Sequence, residues 1–253
     1  MVTALVTGAS SGLGAEYARQ LAARGADLVL VARSMEALDA VAEAIRVCHR
    51  VRVEVIGADL TVPRDLERVA ARLADPEAPV ELLVNNAGFG LSLDFETNDI
   101  AREVDHLRVH VEAPMRLTHA ALEGMLARGH GRILNVASVA AYLPRSTYGA
   151  CKRWVVEFSR WANAVYAPRG VTVTAVCPGF THTDFHERMG LPPGQEGVPG
   201  PLWLDARDVV AESLRDAARG RGVSIPSLRY KALTRIAALL PASVAAGVGT
   251  RGR

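Results

Sequence analysis

Tyr148 and Lys152 stand four residues apart and are the pair in this chain best suited to moving a proton. On a helix an i, i+4 spacing puts both side chains on one face. A tyrosine titrates near 10 and is a poor acid–base group at neutral pH by itself. An ammonium alongside stabilises the phenolate and draws it toward the working range. Such pairs also arise by chance on solvated helices, so the surroundings decide what this one means. Ser138 ends an apolar run, Arg132 to Ala137, that reads as a strand running into this helix. A second constellation opens the chain, Thr7-Gly8-Ala9-Ser10-Ser11-Gly12-Leu13-Gly14. It lies between an apolar run, Val2 to Val6, and a helical pattern through Leu13, Tyr17 and Leu21. A strand, a glycine turn and a helix N-terminus make an anion site, because free N–H groups and the helix dipole both favour a phosphate. Glycine lets the backbone turn sharply and approach the ligand with no side chain between them. The spacing, Gly8-x-x-x-Gly12-x-Gly14, is not the G-x-G-x-x-G of the common dinucleotide fingerprint.

These groups need a frame, and the chain supplies an alternating one. Strands are expected at Val2–Val6, Leu28–Ala32, Val51–Ile56, Val80–Val84, Arg132–Ala137, Val171–Val176 and Val223–Ile225. Helical patterns fall between them. Gly25 ends the first, Thr61 is placed to cap the third with Pro63 in its first turn, and Asp205 caps a late one that runs to about Arg219. Apolar strands alternating with helices predict a parallel sheet covered on both faces, an α/β doubly wound domain. No linker or repeat divides it, so one domain is expected over residues 1–253.

Ligands on such sheets bind beyond the carboxyl ends of the strands. After the second strand comes Arg33, where a guanidinium pairs with a 2′-phosphate and a carboxylate would bind ribose hydroxyls; NADP(H) is therefore expected over NAD. After the third come Asp59 and Leu60, with the carboxylate placed to hold an adenine amino group. After the fourth come Asn85-Asn86-Ala87-Gly88, small and polar, where a backbone can approach a cofactor.

The composition is that of a soluble globular protein, 49% hydrophobic and 22% charged. A net charge of +2 gives no reason to expect nucleic acid. Cys48, Cys151 and Cys177 lack metal-ligand spacing and read as reduced thiols, so no metal is expected. No signal peptide or membrane span is read, and a cytoplasmic location is expected.

Taken together, Thr7 to Gly14, Asp59-Leu60, Asn85 to Gly88, Ser138, Tyr148-Gly-Ala-Cys-Lys152 and Pro178-Gly179 resemble the short-chain dehydrogenase/reductase family. The resemblance covers roughly residues 2 to 225 and implies a Rossmann sheet of about seven parallel strands. It implies nicotinamide-dependent interconversion of a carbonyl and an alcohol, with a homo-oligomer, dimer or tetramer, as the usual assembly. Tyr148 would exchange a proton with the substrate oxygen, its pKa lowered by Lys152 and by the oxidised nicotinamide. Lys152 would also bind the nicotinamide ribose, and Ser138 would orient the substrate oxygen. Pro178, Gly179 and Phe180 would contact the carboxamide, with Thr183 adding a polar group. Ser10, Ser11, Gly12, Leu13 and Gly14 would hold the phosphates beside Gly8.

Two departures stand out. Ser138 and Tyr148 are closer in sequence than the family usually has them, which points to a shortened loop at Leu143-Pro144-Arg145 and leaves Ser146 as a rival hydroxyl. His110 stands where the family usually carries an asparagine, midway along an apolar stripe from Ile100 to Met125. The family asparagine is understood to act through its carbonyl, and Pro114 offers no N–H to the carbonyl of His110. His110 is therefore expected to hold a relay water through its main chain. A packed histidine in a kinked helix explains the same residues.

The Pro- and Gly-rich stretch from about 180 to 204, with Phe185, Met189, Leu191, Leu202 and Trp203, reads as a lid over a hydrophobic ketone or aldehyde; Phe89 and Leu91 stand as possible partners. A packed loop accounts for it nearly as well. Beyond Asp216 there are seven basic residues and no acidic one. The face bearing Leu233, Ile236 and Leu240 is expected to pack on the core or a second subunit, with an amphipathic helix on a membrane surface as the alternative. A non-catalytic NADP(H)-binding regulator remains the rival to an enzyme. A methyltransferase on the same fold is disfavoured by Tyr148, Lys152 and Arg33 together.

Overall fold

The computed structural model describes residues 2–144, 146–183, 185 and 198–239. Seven parallel strands form one sheet in the order β3-β2-β1-β4-β5-β6-β7. They are β1 (Thr3–Thr7), β2 (Asp27–Ala32), β3 (Val53–Gly57), β4 (Leu82–Asn85), β5 (Gly131–Val136), β6 (Val171–Val176) and β7 (Val223–Ser224). The order reverses between β1 and β4, so a crevice opens at the carboxyl ends of those two strands.

The central strands are apolar throughout because both faces are covered. Alternate residues serve opposite layers. Ala4, Val6, Leu28 and Leu30 pack with Tyr17 and Leu21 of α1 (Gly12–Ala22), Leu38 and Ile45 of α2 (Met35–Cys48), and Val210 and Leu214 of α7 (Ala206–Ala218). Leu5, Val29 and Val31 pack with Leu66 and Val69 of α3 (Pro63–Ala74), Leu117 and Met125 of α5 (Ala113–Arg128), and Ala162 of α6 (Thr147–Tyr166). The Tyr17 hydroxyl and Ser213 Oγ lie 2.6 Å apart in the core and join α1 to α7.

Three local expectations change. Val62, not Thr61, is the N-cap of α3; the Thr61 N–H and hydroxyl turn back to Asp59 Oδ1 instead. An Asx-type bond to the residue two positions earlier competes directly with capping. The stripe from Ile100 to Met125 is not one α-helix. It divides into α4 (Ile100–Leu107), a π-helical turn at Arg108–Glu112, and α5. The Ala113 N–H bonds the carbonyl of Arg108, the wider spacing that a proline in the next turn favours. The last helix, α8 (Leu228–Leu239), turns Tyr230 and Thr234 inward and leaves Leu233 and Ile236 exposed, so that face does not pack on the core of its own chain. Two polar side chains won the buried face because each has a partner there: the Tyr230 hydroxyl finds backbone of the 180–204 stretch, and the Thr234 hydroxyl bonds the carbonyl of Tyr230. Leu240 lies outside the described residues, as do Met189 and Leu191.

Candidate active site

The glycine turn at the end of β1 is built for an anion. Gly8 and Gly12 adopt positive φ, 66° and 53°, which other residues take up only with strain. A Cβ on Gly14 would collide with the carbonyl of Gly8, so α1 seats directly against the turn. Ser11 is the N-cap of α1 but makes no side-chain cap, and the first turn holds no acidic residue. The N–H groups of a first helical turn and the helix dipole both favour an anion such as a phosphate. Ser10, Ser11 and Leu13 are half-buried around it. These residues fit a nucleotide cofactor.

Asn86 braces this turn. Its Nδ2 donates to the carbonyls of Thr7 and Gly8, while Thr7 Oγ1 accepts from the Asn86 and Ala87 N–H groups. Arg33 follows β2 directly and is exposed, forming no ion pair among the described residues. Asp59 is held in place by Thr61, and Leu60 is buried in the core.

Across the crevice, β5 and α6 carry the proposed chemistry. Buried Asn85 donates to Asn135 Oδ1 at 2.9 Å, and Asn135 donates to Ser159 Oγ at 3.0 Å, which ties β4, β5 and α6 together. On that platform Ser138 lies beside Tyr148, near enough to favour its ionised form. Ser138 Oγ also accepts the Ala140 N–H, which fixes its position. The short connection is a 3-10 turn, Val139–Tyr142, and it fits because Gly149 faces it; a Cβ there would lie 3.0 Å from the carbonyl of Ala140. Ser146 caps α6 by accepting the Gly149 N–H, a structural use of the rival hydroxyl.

Lys152 is buried and donates to the carbonyl of Val136 at 2.7 Å, with its Nζ 5.5 Å from the Tyr148 ring centre. Burial pulls its ammonium down to about 8. Burial likewise pushes the Tyr148 hydroxyl up to about 12, with Ser138 working against it. The sequence predicts a tyrosine lowered by Lys152 together with the oxidised nicotinamide. In the protein by itself desolvation outweighs the effect of Ser138, so Tyr148 rests as a phenol, the form that donates a proton.

The wall beside Tyr148 is aromatic. His110 meets its ring edge-on at 5.4 Å, Phe185 lies 6.0 Å away, and His106 lies 5.9 Å away. His110 Nε2 sits 2.8 Å from the carbonyl of Phe89, and a Cβ on Gly88 would collide with its imidazole. Gly88 thus makes room for a side chain of the protein. At the rim the Arg102 guanidinium covers the Phe89 ring at 5.2 Å. Beyond β6, Pro178 is buried, and Thr183 Oγ1 accepts the Phe185 N–H and contacts the carbonyl of Thr181.

Residues 2–191 match the family model described as short chain dehydrogenase. The chain belongs to the short-chain dehydrogenase family. It is 36% identical to a short-chain dehydrogenase from Sphingobium yanoikuyae solved in complex with NADPH, covering 93% of each chain at a TM-score of 0.85. It is 33% identical to the bulky-bulky ketone specific alcohol dehydrogenase from Comamonas testosteroni, covering 93% of this chain and 92% of that one at a TM-score of 0.81. Among curated relatives it is 36% identical over 188 residues to a very-long-chain 3-oxoacyl-CoA reductase from Anas platyrhynchos, 71% of this chain and 60% of that protein. The chain thus spans less than two thirds of that relative's length.

Sequence reasoning missed His106 in this short-chain dehydrogenase, although it stands one helical turn before His110. The two rings lie 4.4 Å apart, and both are buried. Burial, followed by the Lys152 charge, lowers His106 to about 4 and holds His110 well below the ordinary histidine value. Both are neutral in the folded protein near pH 7 and titrate near 6.5 when unfolded. Below 6.5 the unfolded chain binds more protons, so stability falls as pH falls. Replacing His106 by leucine removes one such group. Between pH 7.5 and 5 the unmodified enzyme is expected to lose about 2 kcal/mol more stability than His106→Leu. Urea melts at the two pH values measure this; equal losses would show that His106 is protonated in the fold.

Proposed function

We propose that this short-chain dehydrogenase is an NADP(H)-dependent oxidoreductase that reduces a hydrophobic ketone or aldehyde, with Tyr148 as the proton donor. The observation that carries the reading is Tyr148 with Ser138 beside it and buried Lys152 one helical turn on, its Nζ 5.5 Å from the tyrosine ring, at the same carboxyl edge of the sheet as the glycine turn before α1. NADP(H), when bound, supplies the hydride. The N–H groups of α1 hold its phosphates, Arg33 its 2′-phosphate, Lys152 its nicotinamide ribose, and the loop Pro178–Phe180 its carboxamide. Ser138 and Tyr148 hold the substrate oxygen, and the Tyr148 proton passes to that oxygen as the alcohol forms. Phe89, His110 and Phe185 exclude water and favour an apolar substituent beside the carbonyl. The NADPH-bound structure of one relative and the bulky-ketone specificity of another support this assignment.

The test is a panel of bulky aromatic ketones, aldehydes and secondary alcohols followed by reduced-nicotinamide absorbance. Turnover of at least one carbonyl with NADPH is expected. Tight NADPH binding without turnover of any member would favour the regulator reading.

His110 serves through its main chain. The π-helical turn at Arg108–Glu112 and the missing N–H of Pro114 support a carbonyl released to hold a relay water. His110→Asn and His110→Ala are both expected to keep kcat within about tenfold, an allowance of roughly 1.4 kcal/mol. A loss of several hundredfold in both, with native melting and NADPH binding, would assign the relay to the imidazole. Exposed Met115 on α5 and Trp161 and Val165 on α6 support a homo-oligomer, which light scattering of the intact protein checks. Exposed Leu228, Leu233 and Ile236 beside basic residues on α8 keep peripheral membrane contact as the lesser reading, checked by flotation with anionic vesicles. Among the described residues no helix is long and apolar enough to cross a membrane.

A further inference from the structure

Tyr230 lies beyond residue 191, where the family match ends, yet it reaches the far side of the loop after β6. Its hydroxyl accepts the Phe180 N–H at 3.1 Å and donates to the carbonyl of Leu202 at 2.8 Å. One hydroxyl can do both at once, since it has one proton and two lone pairs. Its ring, 4% exposed, lies against Gly179 so closely that a Cβ there would collide with it. The segments on either side of residues 184–197 are thereby clasped at one atom. They are also joined by a Thr181–Leu204 bridge, in which the His182 N–H bonds the carbonyl of Leu204 and the Leu204 N–H bonds that of Phe180. His182 stacks on Trp203 at 4.8 Å.

The clasp has its own support. Ser227, just before α8, holds a φ of 86°, a left-handed conformation that a non-glycine residue keeps only when its surroundings enforce it. Glu212 of α7 accepts the Ser227 N–H at 3.0 Å and also pairs with Lys231. Tyr230 is therefore presented at a set height by a helix start tied to α7.

We infer that Tyr230 is a positioning residue for the cofactor: it sets the loop Pro178–Phe180 against the nicotinamide end of the crevice, acting through the Phe180 N–H and the Gly179 contact. This rests on the reading that the loop meets the nicotinamide. Tyr230→Phe keeps the ring on Gly179 and removes both hydrogen bonds. In the full chain without cofactor, amide hydrogen exchange at Phe180, His182 and Leu204 is expected to quicken at least tenfold, while β1, β4 and β5 stay within twofold. The NADPH dissociation constant should rise about fivefold or more. Exchange at those amides within twofold of the unmodified protein would overturn the clasp. Faster exchange with unchanged NADPH affinity would overturn its role toward the cofactor. Should Tyr230→Phe fail to fold, Gly179→Ala pushes the same contact apart from the loop side, with the same expected directions. An unmodified protein that binds no NADPH would fail the functional reading, and this proposal with it, before any variant is made.

Discussion

Tyr148→Phe is expected to lower kcat for carbonyl reduction by at least about two orders of magnitude, or roughly 2.7 kcal/mol of transition-state stabilisation. The ring stays, and with it the contacts to His110 at 5.4 Å and Phe185 at 6.0 Å. Lys152 keeps its bond to Val136, so the floor of the site is unchanged. What is lost is the proposed proton donor, the hydroxyl proposed to share the substrate oxygen with Ser138. Affinity for NADPH should change little, because the proposed phosphate and 2′-phosphate contacts lie across the crevice. A fall in kcat with steady cofactor affinity separates lost chemistry from lost binding. Near-normal turnover in this variant would place the proton donor elsewhere.

Arg33→Asp should reverse the cofactor preference. A guanidinium bonded to a phosphate contributes about 1.5–3 kcal/mol, and a carboxylate in its place repels the same group. The ratio of kcat/KM for NADPH to that for NADH is expected to fall about a hundredfold, mostly through weaker NADPH. Arg33 is exposed, so salt screens it, and the preference of the unmodified enzyme should shrink as ionic strength rises. Equal kcat/KM for the two cofactors before mutation would remove Arg33 from the cofactor site.

The strand–helix order, the glycine turn and the cap at Asp205 could be read from the chain because each depends on residues a few positions apart. β6 falls on Val171–Val176 as expected, since one short apolar run bounded by Gly170 and Pro178 admits no other register. Other ends moved by a residue or two, as β3 did, because the terminal hydrogen bonds of a strand depend on its neighbour as well as its own sequence.

The contents of the site were less legible. Tyr148 and Lys152 share a helix face by their spacing, but the pairing of Tyr148 with Ser138 depends on Gly149 letting the short 3-10 turn pack against α6. Asn86 and Gly88 read as cofactor contacts because they follow β4. In the fold Asn86 braces the turn after β1, and Gly88 yields space to His110, a contact across 22 positions.

The sequence by itself thus determined the doubly wound sheet, the glycine turn at its first strand and the Tyr148–Lys152 helix face. All three follow from local periodicity, backbone sterics and side chains at helical spacing. Only the tertiary structure decided that His106 and His110 line the wall beside Tyr148, that burial pushes its hydroxyl's pKa up, and that Tyr230 clasps the loop after β6. Those outcomes depend on which buried polar groups find partners far along the chain, as His110 and Phe89 do and as Phe180 and Tyr230 do. They depend equally on how far burial outweighs a neighbouring hydroxyl, and neither is written in the spacing of residues along one element.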